Sequence, residues 1–295
     1  MEMRPKAFGE NLNEWFRGLG QTWKPMLVLC AIVFVPLGIL TTALILIPGA
    51  LDSYFDLIDP NLDLQTPAEL LELLGPLLWV GAIWAVLQLV ATVLVYIAAG
   101  RVIAVRSVGS EATARELLRF AGRRLGTGLG AGLMLALGLL AILAAAVLVG
   151  WAVLSGGGAN FLTIFLTAVV ALTALVICVW LGVGVSLYPQ AIAMDAVNAP
   201  RSLVASFRLV KTRWWPTLGF ELVAGLIVSA VAQVLSFVLV PILFLGMVAP
   251  VFLAVGYGLA TMLQGPVAAS IGLAYAVWYV DLRAREQPMR GEDLV

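Results

Sequence analysis

The chain has 295 residues, 62% of them hydrophobic and 12% charged, with a mean hydropathy of +1.05. A soluble domain carries about 45–50% apolar and about 25% charged residues, so this chain lacks the polar groups to cover a water-facing surface and reads as an integral membrane protein. Its 17 basic and 17 acidic residues balance, it has no histidine, and its two cysteines, Cys30 and Cys178, lie in apolar runs. That excludes a disulfide framework, a Cys/His zinc site and His-dependent catalysis; no cofactor, metal or nucleic-acid partner is expected.

A bilayer core of about 30 Å needs about 20 apolar residues in a helix. Six stretches qualify, roughly 26–48, 77–100, 126–153, 161–188, 217–242 and 251–280. The predicted fold is therefore all-α and polytopic, one membrane domain spanning 1–295 with six transmembrane helices.

In chain order, Phe8, Leu12, Trp15, Phe16 and Leu19 recur at helical spacing with Glu10, Asn13, Glu14 and Arg17 between them, which predicts an amphipathic segment before the first span. That span is too long for a cleavable signal peptide, and no small-residue cleavage site with a soluble domain follows it. Pro36 is a predicted kink. The first connection holds Asp52, Asp56, Asp59, Asp63, Glu69 and Glu72. Pro60 interrupts any common helical face and the spacing fits no Ca²⁺ loop, so a solvated acidic loop is expected, with a weak cation site as the alternative. Thr66-Pro67-Ala68-Glu69 reads as a capping box opening a short interfacial helix through Leu74.

Before the third span, Ala114, Leu117, Leu118, Ala121 and Leu125 oppose Arg115, Arg119 and Arg123. Gly126, Gly128, Gly130 and Gly132 have no preceding strand and no following Lys-Ser/Thr; they read as small residues for close helix packing, not a phosphate loop. Before the fifth span, Leu203, Phe207, Val210 and Trp214 oppose Arg201, Arg208 and Lys211.

Glu221 is the one carboxylate well inside a span. A charge there is costly, so it is either a coupling residue or paired with Arg101 or Gln88. Gln88, Gln233 and Gln264 sit mid-span, for interhelical hydrogen bonds or the lining of a polar cavity. The uncharged 241–250 connection is read as a tight turn or a shallow re-entrant piece, and Gly265-Pro266 as a second kink. The alternating charges from Asp281 to Glu286 either pair with the basic segments or end the helix in solvent.

Every Lys and Arg lies in the N-terminal segment, at 101–124, at 201–213 or after 282, while the first connection is purely acidic. The positive-inside rule then puts both termini and both basic connections in the cytoplasm. The amphipathic segments also align with one another. Phe16-Arg17 and Trp23-Lys24-Pro25 match Phe207-Arg208 and Trp214-Trp215-Pro216 at one constant spacing. Leu118-Arg119 and Leu129-Gly130 match Phe207-Arg208 and Leu218-Gly219 at another. The expected unit is an amphipathic interfacial helix plus a transmembrane hairpin, used three times over about 7–105, 110–190 and 198–282, with a tail at 283–295. Three such helices on the cytoplasmic side would brace the bundle or meet anionic headgroups.

The run from Tyr188-Pro189 through Asp195, Ser206-Phe207 and Lys211 to Trp214-Trp215 and Gly219, the C-terminal Trp278-Tyr279-Val-Asp281-Leu-Arg283-Ala-Arg285-Glu286 with Glu292-Asp293-Leu294, and the N-terminal Phe8-Gly-Glu-Asn-Leu12 with Phe16-Arg17 together resemble the membrane domain of glycerophosphoryl diester phosphodiesterases. They also resemble related six-helix inner-membrane proteins of bacteria. The likeness covers nearly the whole chain on short motifs. Fused members carry a catalytic barrel after this domain. Here the chain stops soon after the last span and lacks histidine, so the resemblance implies a stand-alone, lipid-associated module of the bacterial inner membrane without the phosphodiesterase activity.

The expected function is a non-enzymatic membrane module that binds or organises lipid, or supports a protein partner or a second copy in the bilayer. Arg119, Arg123, Arg208, Lys211 and Arg213 would contact anionic lipid phosphates, with Trp214 and Trp215 as interfacial anchors. The alternative is a small permease with a polar path around Glu221, against which three tandem units weigh, since most secondary transporters use inverted pairs.

Overall fold

Apolar side chains at helical period from Phe8 onward carry one unbroken helix, α1 (Phe8–Ile45), whose first turn is capped by Glu10 accepting the Ala7 N–H at 2.8 Å. The computed structural model describes residues 2–3, 5–47, 53, 56, 67–158, 160–246, 249–286 and 289–290. Then come α2 (Pro67–Ser107) and α3 (Ala114–Gly157). Thr113 and Glu116 satisfy each other's backbone N–H groups at the start of α3, at 3.4 and 2.9 Å. Asn160 caps α4 (Phe161–Val185), accepting from Thr163 N at 3.0 Å. The rest are α5 (Tyr188–Met194), α6 (Ala199–Lys211), α7 (Trp214–Phe237), α8 (Val240–Gly246) and α9 (Pro250–Glu286). A two-residue antiparallel ladder pairs Glu2 with Arg290 and Met3 with Met289.

Among the described residues six helices are long and apolar enough to cross a membrane, in the order the sequence predicts, but their boundaries differ. The first two amphipathic segments are not separate helices: each runs without a break into its span, in α1 and α3. At 1.5 Å per residue these reach about 57 and about 66 Å, well beyond a bilayer core of about 30 Å. Only the third segment stands alone, as α6, parted from α7 at Thr212-Arg213. The fourth span breaks after Val185, leaving the short, wholly buried α5. The 241–250 connection holds α8. The helix expected to end near Leu74 continues through Pro76 as part of α2. Asp56 is exposed; Asp52, Asp59, Pro60, Asp63, Thr66 and the tail's Glu292-Asp293-Leu294 lie outside the described residues.

The most extensive helix contact joins α1 to α9. Glycine makes it possible: a Cβ on Gly258 would stand 2.0 Å from Thr42 Oγ1 and 2.7 Å from Gly38 O, and one on Gly38 would stand 2.6 Å from Gly258 O. The backbones touch. Lower down, Trp15 Nε1 donates to Ser270 O at 2.9 Å. The buried side of the first half of α1 is Asn11, Trp15, Gly18 and Thr22, whereas Phe16 is 49% and Trp23 52% exposed. Of the predicted stripe of Phe8, Leu12, Trp15, Phe16 and Leu19, Trp15 is buried and Leu12 and Leu19 pack against the core, Phe16 faces outward, and polar groups lie inside beside them. Lipid tails are as apolar as leucine, so nothing drives every aromatic inward.

The α5 segment and the residue just beyond it are held by α3 and α9. Gln190 Nε2 donates to Gly272 O at 3.2 Å and Arg124 Nη1 to Ile192 O at 2.9 Å. Just beyond, Asp195 accepts from Tyr279 Oη at 2.5 Å and Arg283 Nη2 at 3.2 Å.

Candidate functional site

Helix α6 is set by Asn198, whose side chain accepts from Arg201 N at 3.3 Å, and by Pro200 in the first turn. Its buried side is Ser202, Ser206, Leu209 and Val210, while Arg201, Arg208 and Lys211 are exposed. Ser206 fixes the docking. Its hydroxyl donates to Gly184 O at 3.1 Å and accepts from Leu187 N at 3.2 Å. One hydroxyl thus serves both backbone groups freed where α4 ends. Gly184 leaves room for the Phe207 ring, 2.7 Å from where a Cβ would be, and Phe207 meets Trp180 edge-on at 5.0 Å.

The turn at Thr212-Arg213 then aims two indoles differently. Trp214 donates from Nε1 to Trp180 O at 3.2 Å, whereas Trp215, perpendicular to it, is 76% exposed. Between α4, this turn and the end of α9 lies a groove of about 1360 Å³. Its walls are Trp180, Trp214, Trp215 and aliphatic side chains of α4, and it carries Lys211, Arg213, Arg285 and Glu286. Arg285 is engaged, donating to Asp281 Oδ2 at 2.8 Å and to Lys6 O. Among the described residues, Lys211 and Arg213 have no carboxylate partner. Among the described residues the groove therefore offers two cations without a carboxylate partner beside apolar walls.

Of the residues singled out in the sequence, Lys211, Arg213, Trp214 and Trp215 come together here. Arg208 does not: it borders a shallow hollow with Pro200, Arg201 and Val204. Arg119 and Arg123 are exposed on α3 and do not line the groove. Trp180 and Glu286 were missed as members; an aromatic near the end of an apolar span is the one signal for the former.

The polar residues inside the spans fall into two groups. Gln88 Nε2 donates to Gln264 Oε1, and one turn earlier on both helices Trp84 Nε1 donates to Thr261 Oγ1 at 3.4 Å, forming a seam between α2 and α9. Glu221 lies elsewhere. Its hydrogen-bond partner is Ser186, in place of Arg101 or Gln88, and Tyr96 and Tyr275 stand within electrostatic reach of its carboxyl. Arg101 lies instead over Phe120 at 4.9 Å, with Arg124 also against that ring at 5.0 Å. Gln233 is exposed. Among the described residues no three His, Cys, Asp or Glu side chains gather. Comparison with protein-family models, with curated proteins and with solved structures yields no match to this chain.

Proposed function

We propose that this protein is a non-enzymatic membrane module that holds anionic phospholipid at the cytoplasmic face of a bacterial inner membrane. The observation that carries this reading is the groove beside the α6–α7 turn, where Lys211 and Arg213, without a carboxylate partner among the described residues, stand with Trp180, Trp214 and Trp215. A phosphate meets the cations while acyl chains lie along the aliphatic wall of α4; indoles favour that depth. The charge distribution supports cytoplasmic termini, and the segment alignments support three related units, of which only the α6 unit has a free-standing amphipathic helix. The resemblance to the membrane domain of glycerophosphoryl diester phosphodiesterases supports a lipid-associated role. A permease path through Glu221 has less to rest on, because Gln88 and Gln264 bond to each other about two turns away from Tyr96 and Gln233 faces outward.

Native mass spectrometry of protein released gently from its own membrane tests this. Discrete phospholipid masses are expected on the wild type. A basic residue near an anionic surface contributes about 1 kcal/mol, so Lys211→Ala with Arg213→Ala should weaken retention by roughly thirtyfold. Arg119→Ala with Arg123→Ala should leave it within a few-fold. A bare wild-type monomer, or lipid retained equally by the groove variant, defeats the reading.

A further inference from the structure

Lys6, Arg17 and Arg106 come from three places in the chain and meet around one carboxylate. Lys6 Nζ stands 3.4 Å and Arg17 Nη1 3.7 Å from Glu14 Oε2, and Arg106 Nη2 stands 3.8 Å from Glu14 Oε1. Three positive charges thus face one negative charge. The neighbouring acids have other partners. Glu10, one turn earlier on α1, accepts the Ala7 N–H at 2.8 Å, and Asp281 accepts from Arg285 Nε at 2.8 Å.

All three separations exceed the roughly 2.7–2.9 Å of a charge-assisted hydrogen bond. Among the described residues, Glu14 therefore gathers the cations by charge and leaves their N–H groups without an acceptor. An ammonium and two guanidiniums carry more donors than one carboxylate can take. A phosphate presents oxygens in several directions and can meet donors arriving from three sides.

Two of the cations are held in place. Lys6 is pinned through its backbone, whose N–H donates to Asp281 Oδ1 at 2.6 Å and whose carbonyl accepts from Arg285. Arg106 lies across Gly18, with Nη1 3.5 Å from where a Cβ would stand. Their side chains are 37% and 26% exposed, against 64% for Arg17. Only Arg17 has much freedom to lose on binding, which keeps the ordering cost low.

Depth favours a ligand from water. Glu14 precedes Met26, where the first apolar stretch begins, by twelve residues of the unbroken α1, or about 18 Å along the axis. A tilt of about 40° still leaves about 14 Å, whereas the headgroup layer of one leaflet is about 5–7 Å thick.

We propose that Lys6, Arg17 and Arg106 form an oxyanion site that takes the phosphate group of a water-soluble molecule, with Glu14 as the brace that keeps the cations together. None of the four residues lines the groove. Isothermal titration calorimetry of inorganic phosphate into the full chain in phosphatidylcholine nanodiscs tests this, with chloride at matched ionic strength as the blank. Saturable binding is expected in the wild type. Arg17→Ala should weaken it about fivefold, and Arg17→Ala with Arg106→Ala about thirtyfold. Arg17 is the most exposed of the three, and unchanged melting of Arg17→Ala verifies its fold. Lys211→Ala with Arg213→Ala should bind phosphate as the wild type does, so this site and the lipid reading fail separately. No saturable binding in the wild type, or equal binding by Arg17→Ala, overturns the proposal. Loss of binding in the groove variant would move the phosphate to the groove and overturn it as well. Phosphatidylglycerol added to the nanodiscs should leave the phosphate affinity within a few-fold; if it abolishes saturation, headgroups fill the site and the water-soluble assignment falls.

Discussion

Gly258→Leu should prevent α1 and α9 from closing. The new Cβ would lie 2.0 Å from Thr42 Oγ1 and 2.7 Å from the Gly38 carbonyl oxygen. Thr42 can rotate only by giving up its own bond to Gly38 O at 3.1 Å, and the Gly38 carbonyl is backbone and cannot rotate away. Overpacking costs about 1–3 kcal/mol where side chains can shift, and more where backbone must move. Here the cost should be about 3 kcal/mol or greater, comparable to much of a domain's net stability. It would be read as a large drop in melting temperature in detergent, or as loss of the monodisperse peak. Gly20→Ala is the control, because nothing lies within 4 Å of its Cβ position. Removing a glycine from a helix interior should leave stability unchanged or raise it by up to about 1 kcal/mol. Similar melting of Gly258→Leu and wild type would mean that the backbones do not meet at this point.

Asp195→Ala is the second large effect. Asp195 follows the buried α5 and holds Tyr279 and Arg283 of α9 together, at 2.5 and 3.2 Å. Among the described residues Arg283 Nε already lacks a partner, so losing the carboxylate strands a guanidinium and a phenol at once. Breaking a buried pair from one side costs about 3–5 kcal/mol. Partial exposure of both ions, 17% and 25%, brings the expectation to about 2–4 kcal/mol. Asp195→Asn keeps an acceptor for Tyr279 and should lose about half as much. In combination with Tyr279→Phe, the Asp195→Ala penalty should shrink, since the two residues share one network. Full additivity in that cycle would contradict the bond between them.

The six long apolar helices could be read from composition and run length because a bilayer fixes the length a span must have. What lay inside the bundle could not be read so directly. In water, an apolar stripe marks the core; here Phe16 and Trp23 face outward while Asn11 and Thr22 are buried. The sequence reading chose the apolar side of α1, and that choice holds for Leu12, Trp15 and Leu19, which pack on the core, but not for Phe16, whose surroundings are themselves apolar. The break after Val185 was hidden because Ser206, 22 residues beyond Gly184, supplies the bonds that replace the helix ladder. The basic-aromatic turn was half legible: Lys211 to Trp215 are contiguous and announce themselves, but Trp180 and the end of α9 join them only through folding. Glu221 was conspicuous as a charge in a span, yet Ser186 as its partner had no signature in the string of letters.

The contact of α1 with α9 also sets an order of events in biogenesis. Trp15 waits for a carbonyl at Ser270, 255 residues later, which at about 5–20 residues per second is roughly ten to fifty seconds of synthesis. During that interval α1 stands without its main neighbour. Its buried hydroxyls do not need it: Thr22 bonds to Gly18 O at 2.8 Å and Thr41 to Leu37 O at 2.9 Å, each within its own helix. The early helix therefore enters lipid with these polar groups already satisfied. Closure of the bundle belongs to the end of translation, and a ribosome stalled before α9 would leave an inserted chain whose glycine face has nothing to dock against.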